Sequence, residues 1–178
     1  LAMAGLHDMP APELGWLEGD VARFALPRRF ALLVPGASPH RPEKRWPVDR
    51  YAALAAALAA RGLASVVVGS AGEAPLAAAI RAACPDALDL CGRTAIADLA
   101  PIASRATLAV GNDTGPMHLV AAVGTPSVVL FSAASDPALC APRGRGVRVL
   151  RMADLADLPT DRVLAALPQL DAPSAAPA

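Results

Sequence analysis

The chain has 178 residues, 16 basic and 16 acidic, so its formal charge is zero and no global field favours a nucleic acid or an anionic membrane surface. Hydrophobic residues make up 54% and aromatics only 3%; the longest uncharged apolar run, Leu119–Ser135, is broken by Gly124, Thr125 and Pro126, which excludes a membrane-spanning helix there. The length suits one domain, or a domain with a linker, large enough to bury a full core.

Residues 1–29 carry Gly5, Pro10, Pro12, Gly15, Gly19 and Pro27 without sustained periodicity, and are expected to form an interdomain lead-in with a helical turn near Leu1–Leu6. A start at Leu1 leads us to expect a piece of a longer protein. Phe30–Val34 predicts a buried strand, closed by Pro35-Gly36 and followed by the polar loop Ala37–Arg45. Trp46-Pro47 opens a helix over Pro47–Arg61, with Pro in its first turn, Gly62 as its stop, and Leu54 and Leu58 facing inward. Ala64–Val68 is a second strand, closed by Gly69-Ser70-Ala71-Gly72; Glu73–Ala83 is a helix ended by Pro85, and Ala87–Leu90 a short strand. Thr94–Ser104 predicts a helix with Ile96, Leu99 and Ile102 inward, kinked or cut short at Pro101. Strands over Ala106–Val110, Ser127–Phe131 and Val147–Leu150 and helices over Thr114–Val123 and Thr160–Leu167 complete residues 30–170 as one domain; residues 171–178 are expected to be a disordered tail.

Strands alternating with helices, and continuous Val/Leu runs, predict an α/β, Rossmann-like parallel sheet with helices on both faces. Cys84, Cys91 and Cys140, odd in number and without metal-type spacing, fit a reducing cytoplasm as small apolar residues.

Three stretches carry candidate chemistry. The first is Gly111–His118, a polar turn between an apolar strand and a helix. It reads as a plain helix start capped by Asp113 or Thr114, or as a diphosphate site at a helix N-terminus with Asp113, Thr114, Gly115 and His118 on it. The second is the Pro35–Trp46 loop, where Gly36-Ala37-Ser38 offers N–H groups and a hydroxyl to phosphate. It also holds Lys44, the only lysine beside fifteen arginines, a compact ammonium able to neutralise a leaving phosphate. A solvated basic loop is the plainer alternative. The third is Glu73, placed to accept hydrogen bonds from a ribose diol, or simply to complement the helix macrodipole. Gly69-Ser70-Ala71-Gly72 is not the G-x-G-x-x-G fingerprint, which argues against a nicotinamide cofactor.

Pro-Gly-Ala-Ser, Lys-Arg-Trp-Pro, a strand ending Val-Gly-Ser before Glu73, Cys-Gly-Arg-Thr, and Asn-Asp-Thr-Gly-Pro-Met-His occur in that order from about Phe30 to Pro142. Together they resemble the C-terminal half of glycosyltransferase family 9, the ADP-heptose:lipopolysaccharide heptosyltransferases; Ser132 stands where many members carry Gly. The resemblance implies the donor-binding half of a GT-B fold. Ser38 would contact the diphosphate, and Lys44 and Asp113 would stabilise the leaving group. Glu73 would hold the ribose, the Gly92–Thr94 loop would lie along the adenine, and Asp113, Thr114, Gly115 and His118 would grip the diphosphate and heptose.

It further implies an inverting transfer of heptose from an ADP-sugar to a lipid-linked saccharide, with neither metal nor cofactor obligatory. The enzyme would be cytoplasmic, at the inner face of the inner membrane. The general base and acceptor site would belong to an N-terminal domain outside this sequence, so the chain alone is expected to bind nucleotide weakly and not to turn over. Two other readings of the same residues are a GT-B domain using a UDP- or GDP-sugar and a non-catalytic nucleotide- or partner-binding Rossmann module.

Overall fold

A computed structural model of the chain describes Leu14 and residues 19–169. The lead-in residues 1–13 and 15–18, with the helical turn expected near Leu1–Leu6, and the tail from residue 170 lie outside the described residues. Six strands run in chain order: β1 (Phe30–Val34), β2 (Ala64–Val67), β3 (Leu88–Asp89), β4 (Leu108–Asn112), β5 (Ser127–Phe131) and β6 (Val147–Arg151). Between them lie α1 (Val48–Ala59), α2 (Ala74–Ala83), α3 (Ile96–Arg105), α4 (Gly115–Ala122) and the single turn α5 (Pro137–Cys140); α6 (Thr160–Ala166) closes the domain.

All pairings are parallel and the order is β3-β2-β1-β4-β5-β6. This doubly wound order opens a crevice beyond the carboxyl ends of β1 and β4, where the winding reverses direction. The core strands are buried on both faces because alternate residues feed two separate cores. Ala31, Leu33, Val67, Val110 and Leu130 pack with Tyr51 and Leu54 of α1, Ile80 of α2 and Val163 of α6. Leu32, Val34, Val66, Val129 and Phe131 pack with Leu99 and Ile102 of α3 and Met117 and Val120 of α4. Val21 and Phe24 of the lead-in join this second core, and Arg23 pairs with Asp98 of α3 at 2.6 Å.

Three expectations need correcting. The strand expected to end at Val110 continues through Gly111 and Asn112, which pair with Val34, Val129 and Leu130, so only Asp113-Thr114 makes the turn. Gly111 is required there by packing: a Cβ would lie 2.5 Å from Met117 Sδ and 2.8 Å from Val34 Cβ. α3 does not end at Pro101 but reaches Arg105, since burial of Ile102 and Ala103 outweighs the one missing N–H. Ile96, expected inward, is 76% exposed because it is the first residue of α3 and stands at the mouth of a cavity rather than over the core.

Candidate functional site

The loops that leave β1 and β4 meet across the crevice and are locked together by Asn112, which is fully buried at the end of β4. Its Nδ2 donates to the carbonyls of Pro35 at 2.8 Å and Gly36 at 3.2 Å. Its Oδ1 accepts from the Trp46 backbone N–H and the Tyr51 hydroxyl, each at 3.1 Å. A primary amide with two donors and one carbonyl suits this four-way junction. Trp46 donates its indole N–H to the Leu158 carbonyl at 2.9 Å and stacks edge-on against Tyr51, 4.8 Å between centroids. Burial pushes the Tyr51 hydroxyl well above its ordinary pKa, so it stays a donor. The Pro35–Trp46 segment is therefore fixed at both ends, and Pro42–Lys44 within it winds into a 3-10 turn.

Lys44 and Asp113 face each other across this junction. Lys44 Nζ lies 2.6 Å from Asp113 Oδ2, with the two side chains 18% and 6% exposed. The Ser135 hydroxyl, from the loop after β5, donates to the same oxygen at 2.6 Å. Asp113 is thus an anchor for a cation and not a helix cap, and Thr114, at the N-cap position of α4, makes no side-chain capping bond. This departs from the plain capped-turn reading: the Thr114 side chain remains available to a site, while Asp113 is held by Lys44 and Ser135. Pro116 has no N–H, so the free donors of the first turn of α4 are the backbone groups of Thr114 and Gly115. A Cβ at Gly115 would meet nothing within 4 Å, so packing within the protein does not call for glycine there.

Beside this turn lies a cavity of about 380 Å³ between the ends of β1, β2 and β4 and the start of α3. Its lining combines polar side chains, Ser38, Ser70, Glu73, Thr94 and Thr114, with apolar ones, Val34, Val68, Ile96, Leu99 and Pro116. Glu73 occupies room cleared by two glycines at the strand ends: a Cβ at Gly36 would overlap Oε1, and one at Gly69 would lie 2.6 Å from Oε2. Glu73 Oε2 accepts the Ser70 N–H at 2.6 Å, closing the 3-10 turn that leads into α2. Glu73 thus stabilises a helix start, and the same side chain lines the cavity.

The structure brings Ser38, Glu73, Thr94 and Thr114 together around the cavity and sets Lys44 with Asp113 beside it. Gly115 lies exposed at the first turn of α4, and His118 is exposed further along that helix, outside the cavity wall. Sequence reasoning missed Asn112 as the junction and Ser135 as the second donor to Asp113, because neither makes these contacts within its own element. Among the described residues no cluster of three His, Cys, Asp or Glu side chains is arranged to hold a metal ion, and no helix is long and apolar enough to cross a membrane.

Two measurements probe this geometry. Gly36→Ala puts a methyl into the Glu73 carboxylate; because that carboxylate is the end of a flexible side chain, it should swing away at small cost in stability. The expected result is a roughly tenfold weaker nucleotide affinity by calorimetry, the value of about one hydrogen bond to a charged group, with little change in melting temperature. Cys91 Sγ sits under Gly69 beside Glu73, and burial, reinforced by the Asp89 carboxylate, pushes its thiol from the usual 9.0 up to about 12. The unfolded thiol ionises above pH 9 while the folded one does not until about 12. Its contribution to stability is therefore whole below pH 9 and lost as pH rises toward 12. Cys91→Ala should flatten that alkaline decline in a series of denaturation midpoints.

Residues 13–168 match the family model for glycosyltransferase family 9 (heptosyltransferase). The chain is 35% identical over 123 residues to lipooligosaccharide heptosyltransferase 2 of Haemophilus influenzae, covering 66% of this chain and 35% of that protein. It is 33% identical over 166 residues to lipopolysaccharide heptosyltransferase 2 of Salmonella typhimurium, covering 84% and 47% respectively. The solved structure of E. coli ADP-heptose lipopolysaccharide heptosyltransferase II matches this fold with a TM-score of 0.75 at 30% identity, over 82% of this chain and 47% of that one. The chain spans at most about half the length of these relatives.

Proposed function

The chain belongs to glycosyltransferase family 9 (heptosyltransferase), and from that premise we propose that it holds an ADP-heptose donor for inverting transfer of heptose to a lipopolysaccharide inner-core acceptor. The observation that carries the reading is a cavity of mixed polar and apolar lining at the β1/β4 crevice, reached by Thr114, whose neighbour Asp113 holds Lys44. The apolar lining residues Val68, Ile96 and Leu99 suit a purine, and Glu73 can accept from both hydroxyls of a ribose. Ser38, the hydroxyl of Thr114 and the free N–H groups of Thr114 and Gly115 suit a diphosphate at the positive end of α4.

In the proposed reaction an acceptor hydroxyl attacks the anomeric carbon from the side opposite ADP. The bond between that carbon and the diphosphate oxygen breaks with its electron pair going to the diphosphate, and the configuration inverts. Charge grows on the leaving oxygen, where the Lys44 ammonium and the dipole of α4 stabilise it without rearranging. No cofactor enters this reading. Asp113 is committed to Lys44 and Ser135, and Glu73 to Ser70 and the ribose, so neither is offered as base. We assign the base and the acceptor site to the rest of the enzyme, working in the cytoplasm at the inner face of the inner membrane.

A competition series on the intact protein tests the donor. ADP should displace donor more strongly than UDP or GDP; a clear preference for UDP would move the assignment to another nucleotide sugar.

A further inference from the structure

We propose that Ser135 is a positioning residue for the proposed transfer: it fixes the Asp113 carboxylate so that Asp113 holds the Lys44 ammonium in place beside the first turn of α4. The proposal rests on the donor-site reading and extends it to a loop that reading does not use.

Ser135 Oγ and Lys44 Nζ both approach Asp113 Oδ2, each at 2.6 Å. A carboxylate held by one cation alone can rotate about its last torsion and carry that cation with it. Two donors of different direction on one oxygen remove this freedom, and a charge-assisted O–H···O bond is among the stronger ones available. Lys44 has three N–H donors, so after one is spent on Asp113 two remain for a ligand.

The two residues that precede Ser135 are themselves tied to the rest of the fold. Ala133 N–H donates to the Ala153 carbonyl at 3.1 Å, beyond β6. At the next residue Arg41 Nη2 donates to the Ala134 carbonyl at 2.7 Å, fastening the loop after β5 to the loop after β1 that carries Lys44. Within the loop, Ala134 N–H donates to Ser132 Oγ at 3.2 Å. Three loops, after β1, β4 and β5, are thus fastened around one carboxylate. Ser135 could have bonded a carbonyl of its own loop, as Ser104 does within α3; it is directed instead at the charged pair.

A group that aims Lys44 matters most when charge develops on the leaving oxygen, so its loss should appear in turnover more than in donor affinity. In the intact protein, Ser135→Ala is expected to lower kcat about tenfold while KM for the donor changes by less than about twofold. Loss of that bond should lower the melting temperature by only a few degrees, leaving the protein folded at the assay temperature, and Ser135→Thr, which keeps the hydroxyl, should restore kcat. In an Asp113→Ala background, Ser135→Ala should cause no further loss, since its action passes through Asp113. The proposal is overturned if Ser135→Ala leaves kcat unchanged while Asp113→Ala lowers it, or if the two losses multiply. If Asp113→Ala itself leaves transfer unchanged, the donor-site reading fails, and this proposal with it.

Discussion

Lys44→Ala is expected to lower the rate of sugar transfer by about 10²–10³, the usual loss when one preorganised electrostatic donor is removed from developing negative charge. Lys44 is positioned by two independent constraints: the 3-10 turn Pro42–Lys44 and the 2.6 Å contact with Asp113 Oδ2. Its ammonium lies beside the turn whose free N–H groups point the same sign of charge at a ligand. Lys44→Arg keeps the charge but replaces a compact ammonium with a planar fork, so only part of the rate should return. The substitution to Ala also leaves Asp113, 6% exposed, without its cation, and a stability loss of about 3 kcal/mol should accompany it, at the low end for a buried pair because Ser135 still donates to the carboxylate. The double variant Lys44→Ala/Asp113→Asn separates the two effects. Removing both charges should recover the stability seen in denaturation and leave the rate low. Recovery of rate in the double variant would show that Lys44 serves the fold and not the leaving group.

Asn112→Ala should produce the second large effect, on stability. At a site with no exposure it removes the Asn112 partner from the Trp46 N–H and the carbonyls of Pro35 and Gly36, and leaves the Tyr51 hydroxyl only its longer 3.4 Å contact with the Val34 carbonyl. Each buried polar group left unsatisfied costs about 1–3 kcal/mol, but local relaxation and water entry reclaim part, so a total of about 3 kcal/mol is expected. For a domain of this size that corresponds to a fall in melting temperature of about 6–12 °C. In urea the midpoint should fall with the slope unchanged. Nucleotide affinity should weaken as well, because the same junction fixes the loop bearing Ser38 and Lys44. A loss under about 1 kcal/mol would mean that Trp46 and Tyr51 hold that loop by packing alone.

The strands were legible because a sheet buried on both faces needs continuous apolar runs, and β1 and β5 coincide with Phe30–Val34 and Ser127–Phe131. β4 misled at its end for a physical reason. Gly111 and Asn112 are turn formers by composition, yet one is there because Met117 and Val34 fill the space of a Cβ and the other because its amide bonds four groups. The partners of Asn112 are 61 to 77 residues away in sequence, beyond the reach of any local pattern. Ile96 misled because helical periodicity assumes a helix covered along its length, whereas the first residue of α3 overhangs a cavity. Lys44 stood out by being the chain's single lysine, but that Asp113 would hold it, and that Ser135 would hold Asp113, required the fold. The resemblance to family 9 rested on five ordered motifs, and the model match over residues 13–168 places the chain in that family.

The most direct test is a crystal structure of the intact protein with ADP. The account predicts the diphosphate over the first turn of α4, within hydrogen-bond reach of Thr114, Gly115, Ser38 and the Lys44 ammonium. It predicts the ribose on Glu73 and the adenine against Val68, Ile96 and Leu99. ADP bound with its diphosphate away from α4, and Lys44 still facing only Asp113, would contradict it.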